Sequence, residues 1–129
     1  MTDEELLARA DAIAVRAYAP YSGFHVGAAV ISESGRVYVG CNVENASYGA
    51  TLCAERAAIA QMIAAGEKRV VTVAIYVDAD EPAMPCGICR QVIAEVGPHA
   101  EVITATPRAT ERRTIAHLLP DPFVFRRER

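Results

Sequence analysis

The sequence predicts an α/β fold: a three-layer α/β/α sandwich around a mixed five-stranded sheet, in one domain spanning residues 1–129. Three observations carry this expectation. Strand-like and helix-like segments alternate through the second half of the chain, the pattern of parallel strands joined by right-handed helical crossovers. Two strand-like runs flank Glu33-Ser34-Gly35 in the first half and read as an antiparallel hairpin. The chain has 129 residues, 52% hydrophobic and 22% charged, enough for one core and too few for two ordinary domains.

The elements follow in order. Thr2 and Glu5 have the capping-box spacing, and Leu6, Ala10, Ile13, Ala14 and Ala17 then recur at three- and four-residue steps. This first helix stops at Pro20, which cannot continue it. Phe24 to Ser32 and Arg36 to Asn42 are the hairpin strands, with Val37, Val39 and Cys41 alternating against Arg36, Tyr38 and Gly40. Val43 to Thr51 has no periodicity and reads as a loop of functional length. Leu52 to Ala65 is a second helix, closed by Gly66 just past its end. Arg69 to Val77 is a near-continuous apolar strand, the kind covered on both faces. A third helix runs from Cys86 to Val96 and stops at Gly97-Pro98. Glu101 to Thr106 is a strand, Glu111 to Thr114 a short edge strand, and Ile115 to Leu119 one helical turn. Arg126 to Arg129 reads as a frayed charged tail.

Composition narrows the function. A formal charge of −3 and the lack of tryptophan argue against nucleic acid as a partner, since that needs clustered cations and stacking aromatics. Apolar runs fall far short of the ~20 residues of a membrane span. The first turn, Thr2-Asp3-Glu4-Glu5, is acidic where a secretory signal is cationic. A cytoplasmic setting is therefore expected, in which the four cysteines are reduced thiols.

Their spacing asks for a metal. Cys86 and Cys89 form a Cys-x-x-Cys pair at the start of the third helix, and Cys53 lies at the start of the second. Helix starts that face each other favour thiolates over thiols. Three thiolates suit Zn²⁺ and leave one of its four positions open, as in a catalytic site. Glu55 lies two residues from a ligand, where a carboxylate can reach the open position and move protons. Three thiolates also carry one more charge than the metal neutralises, so a cation is expected to donate to sulfur. Arg56 is the first candidate and Arg90 the second. Cys-x-Glu with Pro-Cys-x-x-Cys matches the signature of the zinc deaminases, with Cys53 where many of them carry histidine.

The chain resembles the small cytidine deaminases, the homotetrameric group with three cysteine ligands. The similarity runs through Tyr18-Ala19-Pro20-Tyr21-Ser22, Phe24 to Ala29, Gly40 to Tyr48, Cys53 to Arg56, Pro85 to Gln91, Leu118-Leu119-Pro120 and Phe123. The resemblance implies one zinc per subunit on Cys53, Cys86 and Cys89, with Glu55 as the catalytic proton shuttle. It implies hydrolytic deamination of cytidine, and of deoxycytidine, to the uracil nucleoside and ammonia, in pyrimidine salvage. Asn42 and Glu44 would hold the ribose hydroxyls, Phe24 would pack on the pyrimidine face, and Ala54 would offer backbone groups to the base edge. Tyr48 and Phe123 would complete a neighbouring subunit's pocket in a homotetramer with shared active sites.

Three other readings stand beside this one. Cys41 could close a structural four-cysteine zinc module, although on its strand it reads as a small buried hydrophobe. A polynucleotide deaminase would need a basic, aromatic-lined groove, which this chain lacks. A deaminase of a modified cytosine nucleoside, such as blasticidin S, is suggested by Pro122-Phe123-Val124-Phe125, an ending similar to the aromatic-Val-aromatic tail of those enzymes.

Overall fold

The computed structural model describes residues 1–125; the charged tail read at Arg126 to Arg129 lies outside them. Thr2 starts the first helix as its spacing predicts. Its hydroxyl accepts from the Glu5 N–H at 3.1 Å, and the Glu5 carboxylate accepts from the Thr2 N–H at 2.9 Å. The elements are α1 (Asp3–Ala14), β1 (Val26–Ser32), β2 (Val37–Cys41), α2 (Ala54–Ala64), β3 (Val70–Val77), α3 (Gly87–Val96), β4 (Glu101–Ala105), β5 (Thr110–Thr114) and α4 (Ile115–Leu118). Within the long loop after β2, Tyr48–Ala50 forms a short 3₁₀ turn. Val43 bridges both Tyr18 and Leu52, so this aperiodic segment is tied down at its base.

The sheet order is β2-β1-β3-β4-β5. β1 is antiparallel to both β2 and β3, while β3 and β4 are parallel. β2 and β3 therefore run the same way, on either side of β1. The connections β2-α2-β3 and β3-α3-β4 both step in one direction across the sheet. Right-handed crossovers then place both helices on the same face.

The side chains follow that geometry. Ala28 and Val30 of β1 pack with Ala58 and Met62 of α2, Ile93 of α3 and Ile115 of α4. The intervening Ala29 turns to the other face and packs with Leu6 and Ala10 of α1, together with Ala74 of β3. Alternation of period two has thus produced the expected three layers. β5, Thr-Glu-Arg-Arg-Thr, is an edge strand whose charges discourage pairing with another chain.

Close approach of α2 to β2 depends on glycine. A Cβ at Gly40 would lie 2.4 Å from the backbone nitrogen of Ala58 and 2.8 Å from the carbonyl oxygen of Ala54. Neither atom belongs to a flexible side chain, so the helix itself would have to move. Gly40→Ala is expected to cost about 2 kcal/mol in urea unfolding, within the range for overpacked cores. A loss below about 0.5 kcal/mol would show that α2 is not held this tightly.

Candidate active site

The topology brings the candidate residues to one end of the sheet. β2 and β3 finish there, so α2 and α3 begin there; β1 runs the opposite way and starts there. Cys53 and Cys86 are the N-cap residues of α2 and α3, both extended, with Cys89 in the first turn of α3. The helices accordingly begin one or two residues later than the apolar pattern suggests, because the two ligands precede them. Asn42 follows β2 and Phe24 precedes β1, which adds both to the same end.

The three sulfurs lie within 4.8 Å of one another, and those of Cys53 and Cys86 are 3.9 Å apart. Zinc bound to thiolates at about 2.3 Å in a tetrahedral arrangement separates its sulfurs by about 3.8 Å, so the donor set fits zinc by element and by spacing. Cys41 is not part of this group. It lies half-buried on the strand face that presents Val37 and Val39 to α1, which leaves a four-cysteine site without its fourth ligand. Among the described residues these three cysteines form the sole such cluster.

Charge and hydrogen bonding around the sulfurs favour the thiolate at Cys53. Arg56 Nη2 donates to Cys53 Sγ at 3.3 Å and to the Thr51 carbonyl at 3.2 Å, while its buried Nε has no hydrogen-bond partner. The hydrogen bond with Cys89 draws the Cys53 thiol down to about 5, with Arg56 adding to the effect. Cys89 is pushed upward, because it donates to Cys53 and is buried. Arg90 does not take the sulfur-directed role expected of it. Its Nε donates to the Pro85 carbonyl at 2.7 Å and its Nη1 to the Leu118 carbonyl at 3.0 Å, so it braces the turn that enters Cys86. Replacing Arg56 with alanine is expected to weaken zinc binding 10- to 100-fold, roughly the cost of losing an outer partner of a metal ligand. Competition against a chromogenic chelator measures this, and wild-type affinity in the variant would contradict it.

Glu55 is 5% exposed and lines the cleft beside the sulfurs. Burial pushes its carboxyl up to about 7, and the Cys53 charge adds to the rise. The cleft has a volume of about 200 Å³. It is lined by Cys53, Ala54, Glu55 and Cys86 together with Phe24, Val26, Asn42, Thr51, Ile75, Ala83 and Met84.

The remaining candidates divide. Asn42 is buried with its amide already committed: Oδ1 accepts from Val26 N–H at 2.9 Å and Nδ2 donates to the Phe24 carbonyl at 2.7 Å. Glu44 lies in an adjoining lobe with Tyr21, Ser22, Asn45, Tyr48 and Thr51, and Thr51 borders both lobes. Tyr48, 78% exposed, therefore stands beside the cleft and not in it. Phe123, 72% exposed, lies away from the lining; Gln91 of α3 holds its backbone by two hydrogen bonds, of 2.8 and 3.0 Å.

Sequence reasoning missed Val26, Thr51, Ile75, Ala83 and Met84. Met84 and Ala83 directly precede Pro85-Cys86, a proximity that could have flagged them. Ile75 reads as an ordinary core strand residue and gives no such signal.

Comparison with known proteins agrees with this geometry. Residues 1–106 match the family described as the cytidine and deoxycytidylate deaminase zinc-binding region. A cytidine deaminase of Sporosarcina psychrophila is 42% identical over 125 residues, covering 95% of this chain and 92% of that protein. One from Mycobacterium tuberculosis is 46% identical over 110 residues, 85% of this chain and 80% of that protein. The crystal structure of cytidine deaminase from Burkholderia pseudomallei superposes with a TM-score of 0.91 at 43% identity, covering 95% of this chain and 100% of that one. With a thiolate triad spaced for zinc and a buried glutamate beside it, in a fold shared with those enzymes, the chain belongs to the cytidine and deoxycytidylate deaminase zinc-binding family.

Proposed function

We propose that this protein catalyses the hydrolytic deamination of cytidine, and of deoxycytidine, to the corresponding uracil nucleoside and ammonia. The observation that carries the reading is Glu55: a carboxyl, nearly inaccessible to solvent, on the cleft wall two residues from Cys53. Zinc held by Cys53, Cys86 and Cys89 supplies a Lewis acid that makes water nucleophilic at neutral pH. Glu55 does the proton work. It takes a proton from the attacking water, delivers it to N3 of the ring, and passes the second proton to the exocyclic nitrogen. Oxygen bonds to C4 as the C4–N bond breaks and ammonia leaves. Burial favours the protonated form of Glu55, which suits a carboxyl that must take up a proton from water before handing it on.

The other residues bind and orient. Phe24 packs on the pyrimidine face, and Ala54 offers its backbone to the base edge. Glu44 accepts from the ribose hydroxyls, with Asn42 fixing the strand ends beneath them. Tyr48 and Phe123 complete the pocket of another subunit in a homotetramer; their exposure of 78% and 72% in the isolated chain supports that reading. Ile88 and Phe125, at 63% and 76%, extend the uncovered apolar surface available to neighbours. No helix among the described residues is long and apolar enough to cross a membrane. The proposed setting is a cytoplasmic, single-domain subunit of 129 residues acting on free nucleosides in pyrimidine salvage.

The deciding experiment follows ultraviolet absorbance of cytidine, deoxycytidine and blasticidin S with zinc-loaded protein. Decay with the two nucleosides and none with blasticidin S is expected. Decay with blasticidin S alone would overturn the cytidine assignment. Sedimentation equilibrium of the same preparation, expected at four times the subunit mass of 13.8 kDa, tests the assembly.

A further inference from the structure

One side chain of the Glu44 lobe, Ser22, is hydrogen-bonded both to Glu44 and to the backbone of Phe24 in the zinc-side lobe. Ser22 Oγ donates to the Glu44 carboxylate and at the same time accepts the backbone N–H of Phe24 at 2.9 Å. The second carboxylate oxygen of Glu44 accepts the N–H groups of Tyr21 and Ser22, at 2.9 and 3.1 Å. Glu44 therefore organises the turn that precedes β1. Gly23, at φ +70, lets the chain reverse between Ser22 and Phe24, and its N–H closes the turn on the Ala19 carbonyl at 2.9 Å.

We infer that Ser22 is a positioning residue that couples the Glu44 lobe to the placement of Phe24 over the cleft. A hydroxyl suits this place because it carries one donor and two acceptor sites and so serves both neighbours at once. An alanine serves neither. Phe24 is 44% exposed and little else holds it, since its carbonyl is met by Asn42 and its N–H by Ser22 alone. Ser22 is itself exposed and lies outside both core clusters, so its effect is local to the turn. The inference rests on the nucleoside deaminase reading above, in which Glu44 meets the sugar and Phe24 the base. It adds that the two contacts are not independent.

The test is steady-state kinetics of zinc-loaded Ser22→Ala with cytidine, beside a double-mutant cycle with Phe24→Ala. The expected result is a KM raised about tenfold, the usual scale for losing a hydrogen bond to a charged group. kcat stays within about twofold, because nothing at Glu55 or the sulfurs has changed. Zinc content and thermal midpoint remain those of the wild type. Ser22→Thr, which keeps the hydroxyl on an exposed turn, restores KM. In the Phe24→Ala background the same serine substitution changes KM by less than about twofold, since the ring it positions is gone.

An unchanged KM in Ser22→Ala overturns the inference, as do effects of the two substitutions that simply multiply. Ser22→Cys gives an independent reading with volume kept and hydrogen bonding weakened: an intermediate KM supports the coupling, and a wild-type KM overturns it. No turnover of cytidine by the wild-type protein would remove the deaminase reading and this inference with it. Turnover by the wild type with an unchanged KM in Ser22→Ala removes the role of Ser22 alone.

Discussion

Glu55→Gln is expected to lower kcat/KM for cytidine by about 10³-fold while zinc stays bound, the scale on which a positioned acid-base group contributes. Glutamine keeps the volume and the hydrogen-bonding shape of the side chain, so the cleft and the thiolate triad are undisturbed. What it removes is the ability to carry a proton from water to the ring and then to the leaving nitrogen. The loss should therefore fall on kcat, with KM changing little or falling, because the carboxyl acts on atoms that react and not on the sugar. Metal analysis decides between mechanisms. An inactive variant that retains one zinc per chain identifies the proton shuttle; an inactive variant that has lost zinc would place Glu55 in metal retention instead. A variant within tenfold of the wild type would remove Glu55 from the chemistry.

The sequence carried the fold because each element signals locally. Thr2 and Glu5 form an ordinary capping box, and Gly66, at φ +93 in the structure, closes α2 where its position suggests. The strand runs alternate with helices in an order that right-handed crossovers turn into one sheet. The metal cluster was legible for the same reason: Cys53 and Cys86 each sit at a helix start, and parallel strands put such starts side by side. What could not be read depends on contacts between distant segments. Arg90 follows Cys89 and is a plausible partner for sulfur, yet it reaches the carbonyls of Pro85 and Leu118, and nothing local distinguishes these targets. The resemblance gives Glu44 and Asn42 a part in holding ribose; in the structure both are engaged in holding the segment around Phe24, which nothing in their sequence positions announces. Ile75 joins the cleft only because β3 ends beneath it.

The same glutamate makes the metal-free protein less stable at neutral pH than its fold alone would be. Burial raises the Glu55 carboxyl from 4.5 to about 7, so the folded chain holds this proton more tightly than the unfolded chain does. A raised carboxylate costs nothing below the unfolded value, where both states are protonated. The cost grows as pH rises from 4.5 and is complete above about 7, where the folded state must bury a charge. At about 1.4 kcal/mol per pH unit, that interval amounts to about 3 kcal/mol. Glutamine cannot ionise and escapes the cost. In chelator-treated protein, the stability of Glu55→Gln relative to wild type should therefore rise by about 3 kcal/mol between pH 4 and pH 8, measured by urea unfolding. The Cys53 charge is part of what raises Glu55, so cysteine titration contributes to the rising difference, whereas any pH-independent effect of the amide cancels. A difference that stays flat across this range would mean that Glu55 meets water or a counter-charge in solution, and that its carboxyl is not held near neutrality by burial. A rising difference would show that the group proposed as the proton shuttle is maintained against the stability of the fold.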